Sequence, residues 1–255
     1  MLQQTQAARV APYFETWMSR WPTPKALAAA PAGDAVRAWG RLGYPRRALW
    51  LHRAAEQITQ VHHGDVPRDL ESLLALTGVG DYTARAVASF AFGERHPVVD
   101  TNTRRVLARA IHGRAAAGHP RPSDLDDMTE LLPEDPTKAR SFNAGAMELG
   151  AVVCTARAPR CDECPIATWC EWRGAGYPDN APVIRRQAKF EGSDRQMRGM
   201  LMAELRQATA SITREVLLDT IAPTESNRSV QANRALDTLI ADGLVVAAPG
   251  GLSLP

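Results

Sequence analysis

The stretch that decides the reading runs from Cys154 to Cys170, C-T-A-R-A-P-R-C-D-E-C-P-I-A-T-W-C. It holds all four cysteines of the chain, Cys154, Cys161, Cys164 and Cys170, spaced C-x6-C-x2-C-x5-C within 17 residues. The opening segment Met1-Leu2-Gln3-Gln4-Thr5-Gln6 lacks the basic and apolar regions of a secretory signal. A reducing, cytoplasmic setting is therefore expected, where structural disulfides are rare. Four clustered thiols then point to a four-thiolate metal centre. Zinc and [4Fe–4S] both accept such a set. Zinc knuckles more often show two close pairs, and here only Cys161 and Cys164 are close.

Working outward from the cysteines, nearly everything reads helical. Residues 141–153 form a helical run leading straight into Cys154. Before it, Pro120 to Ser123 punctuates the chain, and Ser123 with Asp126 has the pattern of a capping box. Helical periodicity covers residues 102–112 and 82–92. Val10, Tyr13, Phe14, Trp17, Met18 and Trp21 recur at helical spacing, interrupted by Pro12. Asp34 is placed to cap a helix burying Val36, Trp39 and Leu42, and Leu49, Leu51, Ala54, Ile58 and Val61 mark the next. Asp69 opens a short segment with Leu70, Leu73, Leu74 and Leu76. The class is all-α.

Two further signals lie upstream of the cysteines. Leu76-Thr77-Gly78-Val79-Gly80 sits between two helical segments. Its glycines allow a tight turn and leave backbone N–H groups open at the next helix start, a phosphate cradle independent of base sequence. A plain helix–helix turn uses the same residues. Val98-Val99-Asp100-Thr101-Asn102 follows 20 residues after Gly80 and places Asp100 at a helix start. Taken alone, Asp100 reads equally as an ordinary N-cap.

Charge adds a distribution rather than a total. The chain has 30 basic and 28 acidic side chains, a net +2. Residues 35–53 carry Arg37, Arg41, Arg46, Arg47 and Arg53 without an acid, and residues 101–114 carry Arg104, Arg105, Arg109 and Arg114 without an acid. Such patches on a near-neutral chain are expected on a phosphate-binding face, or on solvated helices. With 45% hydrophobic residues but no apolar run of about 18, the chain is globular, with no transmembrane helix.

Together, the Gly78-Val79-Gly80 hairpin, Asp100 and the four cysteines resemble the helix–hairpin–helix DNA glycosylase superfamily with an iron–sulfur cluster. Met1-Leu2-Gln3-Gln4-Thr5-Gln6, Leu42-Gly43-Tyr44, Phe142-Asn143 and Glu148-Leu149-Gly150-Ala151 resemble the A/G-specific adenine DNA glycosylase (MutY) family. The resemblance covers about residues 1–173. It implies a bilobal fold, with a six-helix barrel over residues 1–112 and a [4Fe–4S] domain over 113–173 held by Cys154, Cys161, Cys164 and Cys170. A linker at 174–192 and a small helical module at 193–255, whose three helices and Gly-turned tail resemble a winged helix, complete the expected organisation.

The implied activity is hydrolysis of the N-glycosidic bond of an adenine mispaired with 8-oxoguanine or guanine, after flipping it from double-stranded DNA. By resemblance Asp100 is the catalytic aspartate, Asn102 its supporting amide and Tyr82 an active-site tyrosine. Relatives that also cut the backbone carry a lysine where Tyr82 stands. The chain's three lysines, Lys25, Lys138 and Lys189, lie elsewhere, so hydrolysis without strand cleavage is implied. For DNA contact the resemblance implies Gly78, Val79 and Gly80 on phosphate, Tyr44 and Leu42 at the wedge, Gln4 and Thr5 at the opposite base, and Arg157 and Arg160 as further phosphate contacts. Pro45 replaces a second tyrosine of many relatives and stiffens the wedge.

Two departures follow. The family's other essential carboxylate is a glutamate two positions ahead of the residue matching Met1, so impaired activity is expected of this chain. The roughly 63 residues after the linker are too few for the Nudix-like domain that family members append. The alternatives are a non-catalytic DNA-binding iron–sulfur protein and a thymine or uracil mismatch glycosylase of the same superfamily. A monomer is expected.

Overall fold

The computed structural model describes residues 1–181, 189–222 and 227–255; residues 182–188 of the expected linker lie outside the described residues. In chain order the helices are α1 (Ala7–Arg20), α2 (Pro24–Ala28), α3 (Ala32–Trp39), α4 (Arg46–Val61), α5 (Leu70–Ala75), α6 (Asp81–Phe92), α7 (Thr101–Ala110), α8 (Ser123–Leu131), α9 (Pro136–Glu148) and α10 (Glu171–Gly174). They are followed by α11 (Asp194–Gln207), α12 (Arg214–Ile221), α13 (Asn227–Ala241) and the strands β1 (Val246–Ala248) and β2 (Gly251–Ser253). No helix among the described residues is long and apolar enough to cross a membrane.

The chain forms two compact units drawn from separated stretches. The first takes Met1–Pro67, Leu76–Gly78 and the described residues 189–255; the second takes Arg68–Ala75 and the described residues 79–181. In the first unit α2 and α3 pack on α4. Trp17 meets Trp21 and Trp39 edge-on, with ring centroids 4.8 and 6.0 Å apart. That geometry favours aromatic pairs beyond the area they bury. The same core continues through Leu201, Leu205, Leu236, Leu239 and Leu252, so the C-terminal residues are packed onto the N-terminal helices. Arg206 donates to the Val36 carbonyl and Arg37 to that of Ala208, both at 3.2 Å. A Cβ at Gly33 would lie 2.4 Å from the Pro255 carbonyl oxygen, so only glycine fits.

The C-terminal residues follow the winged-helix order. Ser193 caps α11 and Thr213 caps α12. Between those helices Ile212 bridges Leu252, and β1 pairs antiparallel with β2, Val246 opposite Ser253. The two strands of the Gly-turned tail were not expected as strands from the sequence. Three-residue strands are too short to show an alternating pattern.

The second unit packs α7 against α9 and against Leu149–Val153, a single π-turn that continues α9 toward the cysteines. Leu107, Met128, Leu132 and Ala139 form a small core with Val99 and Ala146. The expected capping box at Ser123 is absent, since Pro122 precedes α8 without a side-chain cap. Asp124 is used instead, accepting from Arg104 Nε at 2.7 Å and from the Arg121 N–H at 2.9 Å. Likewise Asp34 lies in the first turn of α3, not at its cap, and pairs with Arg20 and Arg37. At Asp34 arginine partners take the place of a helix cap.

Candidate active site and metal centre

In the second unit an extended segment leads into α7 and ends at Asp100. Fully buried Asn143 on α9 fixes that segment. Its Oδ1 accepts from the Val98 N–H at 2.9 Å, while its Nδ2 donates to the His96 carbonyl at 2.9 Å and to Ser89 Oγ at 3.2 Å. Asp100 is the N-cap of α7, with Oδ1 accepting from the Thr103 N–H at 2.7 Å. Its other oxygen accepts from Asn102 Nδ2 at 2.9 Å. Asp100 is thus both a helix cap and a member of a side-chain cluster. A carboxylate offers about four lone-pair sites, so these two bonds hold it without saturating it.

Asn102 is itself oriented. Arg105 Nη2 donates to Asn102 Oδ1 at 2.9 Å, which leaves the amide nitrogen to face Asp100. Arg105 also donates to the carbonyls of Gly150 and Cys154. Burial, followed by the negative charge of Asp100, raises the pKa of Tyr82 on α6, so its phenol keeps its proton at neutral pH. Asp100 and Asn102 are therefore joined directly, with Tyr82 within electrostatic reach of Asp100. Arg105 escaped the sequence reading as a site residue. Its signal was the Asn102-x-x-Arg105 spacing, which puts both side chains on one helical face.

The four cysteines form the second centre. All are free and half-buried. Burial pushes the Cys164 thiol up from its ordinary value, and Cys154, Cys170 and Cys161 push it the same way. Among the described residues no three His, Cys, Asp or Glu side chains close on a single ion. Four thiols within 17 residues are a donor set that fits an iron–sulfur cluster. Buried Arg109 braces this loop, donating to Cys154 Sγ at 3.4 Å and to the Thr155 and Ala156 carbonyls at 2.8 and 3.2 Å. Its guanidinium lies 4.6 Å from the centroid of the Trp172 ring.

The expected opposite-base and wedge residues lie in the first unit. Tyr44 is 58% exposed at φ +46°, and Gln4 is exposed at φ +56°. Left-handed conformations cost a residue with a Cβ about 1–2 kcal/mol, and such outliers collect at functional sites. Thr5 stands half-buried beside Gln4. Leu42 is a correction. At 3% exposure it belongs to the core beneath the wedge loop and is not available as a contact. Pro45 is the N-cap of α4.

In the glycine hairpin only Gly78 has the left-handed conformation, at φ +79°. An added Cβ there would lie 2.7 Å from Trp50 Cβ, and its carbonyl accepts from Gln3 Nε2 at 3.1 Å. Gly80 is extended at φ −91° and caps α6, with open space where a Cβ would be. Val79 is half-buried.

The arginine patches also need correction as a single phosphate face. Arg47 and Arg109 are 7% and 4% exposed, and Arg104 forms a nearly buried ion pair with Asp124. Arg160 pairs with Glu163 and donates to the Val152 carbonyl, while Arg157 remains exposed. Linear charge spacing does not reveal which arginines turn inward.

Residues 1–121 match the model of the HhH-GPD superfamily base excision DNA repair protein, and residues 154–170 match the iron–sulfur binding domain of endonuclease III. The adenine DNA glycosylase of Mycobacterium tuberculosis is 52% identical over 257 residues, spanning 100% of this chain and 83% of the relative. The chain belongs to the adenine DNA glycosylase family. The fold agrees with that of a thermostable thymine-DNA glycosylase (27% identity, TM-score 0.62, 68% of this chain and 80% of that one). It also agrees with endonuclease III solved in a non-covalent complex with DNA (24% identity, TM-score 0.61, 69% of this chain and 82% of that one). Identity to the adenine glycosylase is about twice that to the thymine enzyme, so the thymine or uracil alternative is not favoured. An adenine DNA glycosylase of this kind carries a [4Fe–4S] cluster, and the residues to hold it are Cys154, Cys161, Cys164 and Cys170.

Proposed function

We propose that the chain is a cytoplasmic base-excision-repair enzyme that binds double-stranded DNA and hydrolyses the N-glycosidic bond of adenine opposite 8-oxoguanine or guanine. The observation that carries the reading is the Asp100 carboxylate, held at 2.7 and 2.9 Å by Thr103 and Asn102 with the protonated phenol of Tyr82 nearby. Hydrolysis of this bond builds positive charge on the sugar, as in glycosidases, and a carboxylate facing that charge stabilises it. In this reading Asp100 supplies the carboxylate and Asn102 fixes its rotamer. Tyr82 stands where a lysine would be needed for Schiff-base chemistry, so water completes the reaction and the backbone stays intact.

Extrusion of the base leaves a gap in the stack, and exposed Tyr44 is the side chain to fill it. Aromatic stacking of this sort contributes about 1–3 kcal/mol. Gln4 and Thr5 are the proposed readers of the opposite base. The Gly78-Val79-Gly80 turn is the proposed phosphate contact, with open N–H groups at the start of α6. The iron–sulfur cluster, when bound, cross-links the loop 154–170, while Arg109 and Arg105 hold that loop's backbone from α7.

The test is alkali-revealed strand cleavage of duplexes carrying adenine opposite 8-oxoguanine or guanine, with a T·G duplex for comparison. Product is expected from the two adenine duplexes only. Asp100→Asn is expected to lose at least about 10²-fold in single-turnover rate. Thymine release at an equal rate, or full activity of Asp100→Asn, would overturn the reading.

A further inference from the structure

Arg47, on the first turn of α4, is the most heavily engaged side chain among the described residues of the first unit. It is 7% exposed, and its guanidinium donates to five acceptors on two segments far apart in sequence. On the N-terminal segment these are the Met1 carbonyl at 3.2 Å, the Gln3 carbonyl and Thr5 Oγ1 at 3.0 Å. On the wedge loop they are the Leu42 and Gly43 carbonyls at 3.4 and 3.1 Å. The guanidinium also lies 5.1 Å from the Trp39 ring centroid and 5.7 Å from that of Tyr44.

The placement of these bonds is the informative part. Gln3 and Thr5 flank Gln4, and Leu42 and Gly43 lead directly into Tyr44. Gln4 and Tyr44 are two of only four non-glycine residues with positive φ among the described residues. One planar fork therefore spans two strained positions at once, a geometry that lysine cannot reproduce. The neighbouring Arg46 points elsewhere, to Asp242 at 3.3 Å, and contributes nothing to the hub.

We propose that Arg47 is a positioning residue that fastens the opposite-base segment and the wedge loop into one piece, so that it governs discrimination of the base opposite adenine. The inference rests on the adenine glycosylase reading for what Gln4, Thr5 and Tyr44 touch. Arg47 itself does not reach the DNA. It acts by keeping Gln4 and Tyr44 in the left-handed conformation before DNA arrives, so that binding does not have to order them.

The test uses the full chain with its cluster, as wild type, Arg47→Lys and Arg47→Gln. Dissociation constants are measured for duplexes carrying a non-hydrolysable 2′-fluoroadenosine opposite 8-oxoguanine or guanine, and excision is followed in parallel on the unmodified duplexes. Visible absorbance and melting temperature report the folded state. The expected result is that the preference for 8-oxoguanine over guanine falls about tenfold in Arg47→Lys, with cluster absorbance retained. Arg47→Gln, which keeps donors but no charge, should shift the ratio in the same direction. An unchanged ratio in both variants overturns the proposal. So does an equal loss on both duplexes that tracks a lowered melting temperature, or a wild type that binds both duplexes alike. A wild type that discriminates in binding yet releases no adenine refutes the glycosylase reading, while a collapsed ratio in Arg47→Lys still upholds the role of Arg47.

Discussion

Substituting Gly150 by alanine adds one carbon atom at a position where backbone leaves no room. The new Cβ would lie 2.6 Å from the Asn102 carbonyl oxygen, 2.7 Å from its carbonyl carbon and 2.8 Å from its Cβ. Ordinary contact begins near 3.4 Å, so the π-turn and the first turn of α7 must separate by nearly 1 Å. Two opposing effects set the stability change. Alanine gains about 1 kcal/mol over glycine in helical backbone, whereas overpacking costs about 1–3 kcal/mol, so a net loss on the order of 1 kcal/mol is expected. The effect on function is larger. Asn102 holds Asp100 at 2.9 Å and is held by Arg105, which also bonds the Gly150 carbonyl. A shift of nearly 1 Å breaks this chain, and misplacement on that scale costs about 10²-fold in rate. The assay is single-turnover excision of adenine opposite 8-oxoguanine, alongside a thermal melt and the cluster absorbance. A Gly150→Ala enzyme that keeps its cluster and the wild-type rate would falsify the coupling between the π-turn and Asp100.

Asn143→Leu strips the partners from the Val98 N–H, the His96 carbonyl and Ser89 in a fully buried site. A loss of about 3 kcal/mol in denaturant unfolding is expected; a loss under 1 kcal/mol would mean the segment before Asp100 is held by other means. Arg104→Met leaves Asp124 buried without its counter-charge and should cost about 3–5 kcal/mol, measurable by the same unfolding curve. Asp242→Asn removes the charge that pairs with both Arg46 at 3.3 Å and Arg198 at 2.5 Å, and at these partly solvated positions is expected to cost about 1 kcal/mol. Burial, and then Arg85, lower the pKa of His96, with Glu94 opposing them. The folded state thus prefers the neutral ring. The resulting stability is present above the unfolded pKa of about 6.5 and is lost as pH falls through the lower folded value. The melting temperature of His96→Gln should decline less steeply below pH 6.5 than that of wild type.

The helical class was legible because apolar periodicity survives in each long helix, as in Val36 and Trp39 on α3 or Leu107 on α7. The cysteine centre was legible because thiols are scarce and their spacing is local. Asp100 was legible as a helix cap from its place before α7, and its pairing with Asn102 only through the family resemblance. What the sequence concealed depends on direction and distance. Arg47 and Arg109 carry the same charge pattern as solvated arginines, and only the fold turns them inward. Leu42 was expected at the wedge because it shares the Leu42-Gly43-Tyr44 motif with Tyr44, yet the loop turns one side chain into the core and the other outward. The contact of Gly150 with Asn102 joins residues 48 positions apart, beyond the reach of any local pattern.

The shared core of the first unit has a consequence for how the chain is made. Val10, Trp17 and Trp39 belong to the same core as Leu201, Leu236 and Leu252, so that core is incomplete until the C-terminal residues are made. At translation speeds of 5–20 residues per second the first helices therefore wait on the order of 10–40 s for roughly 190 further residues to emerge. The second unit has its helices α6 to α10 in unbroken succession and so completes first. Asp100 and the cysteine loop are accordingly made in full before the residues that complete the core of the earliest helices have emerged.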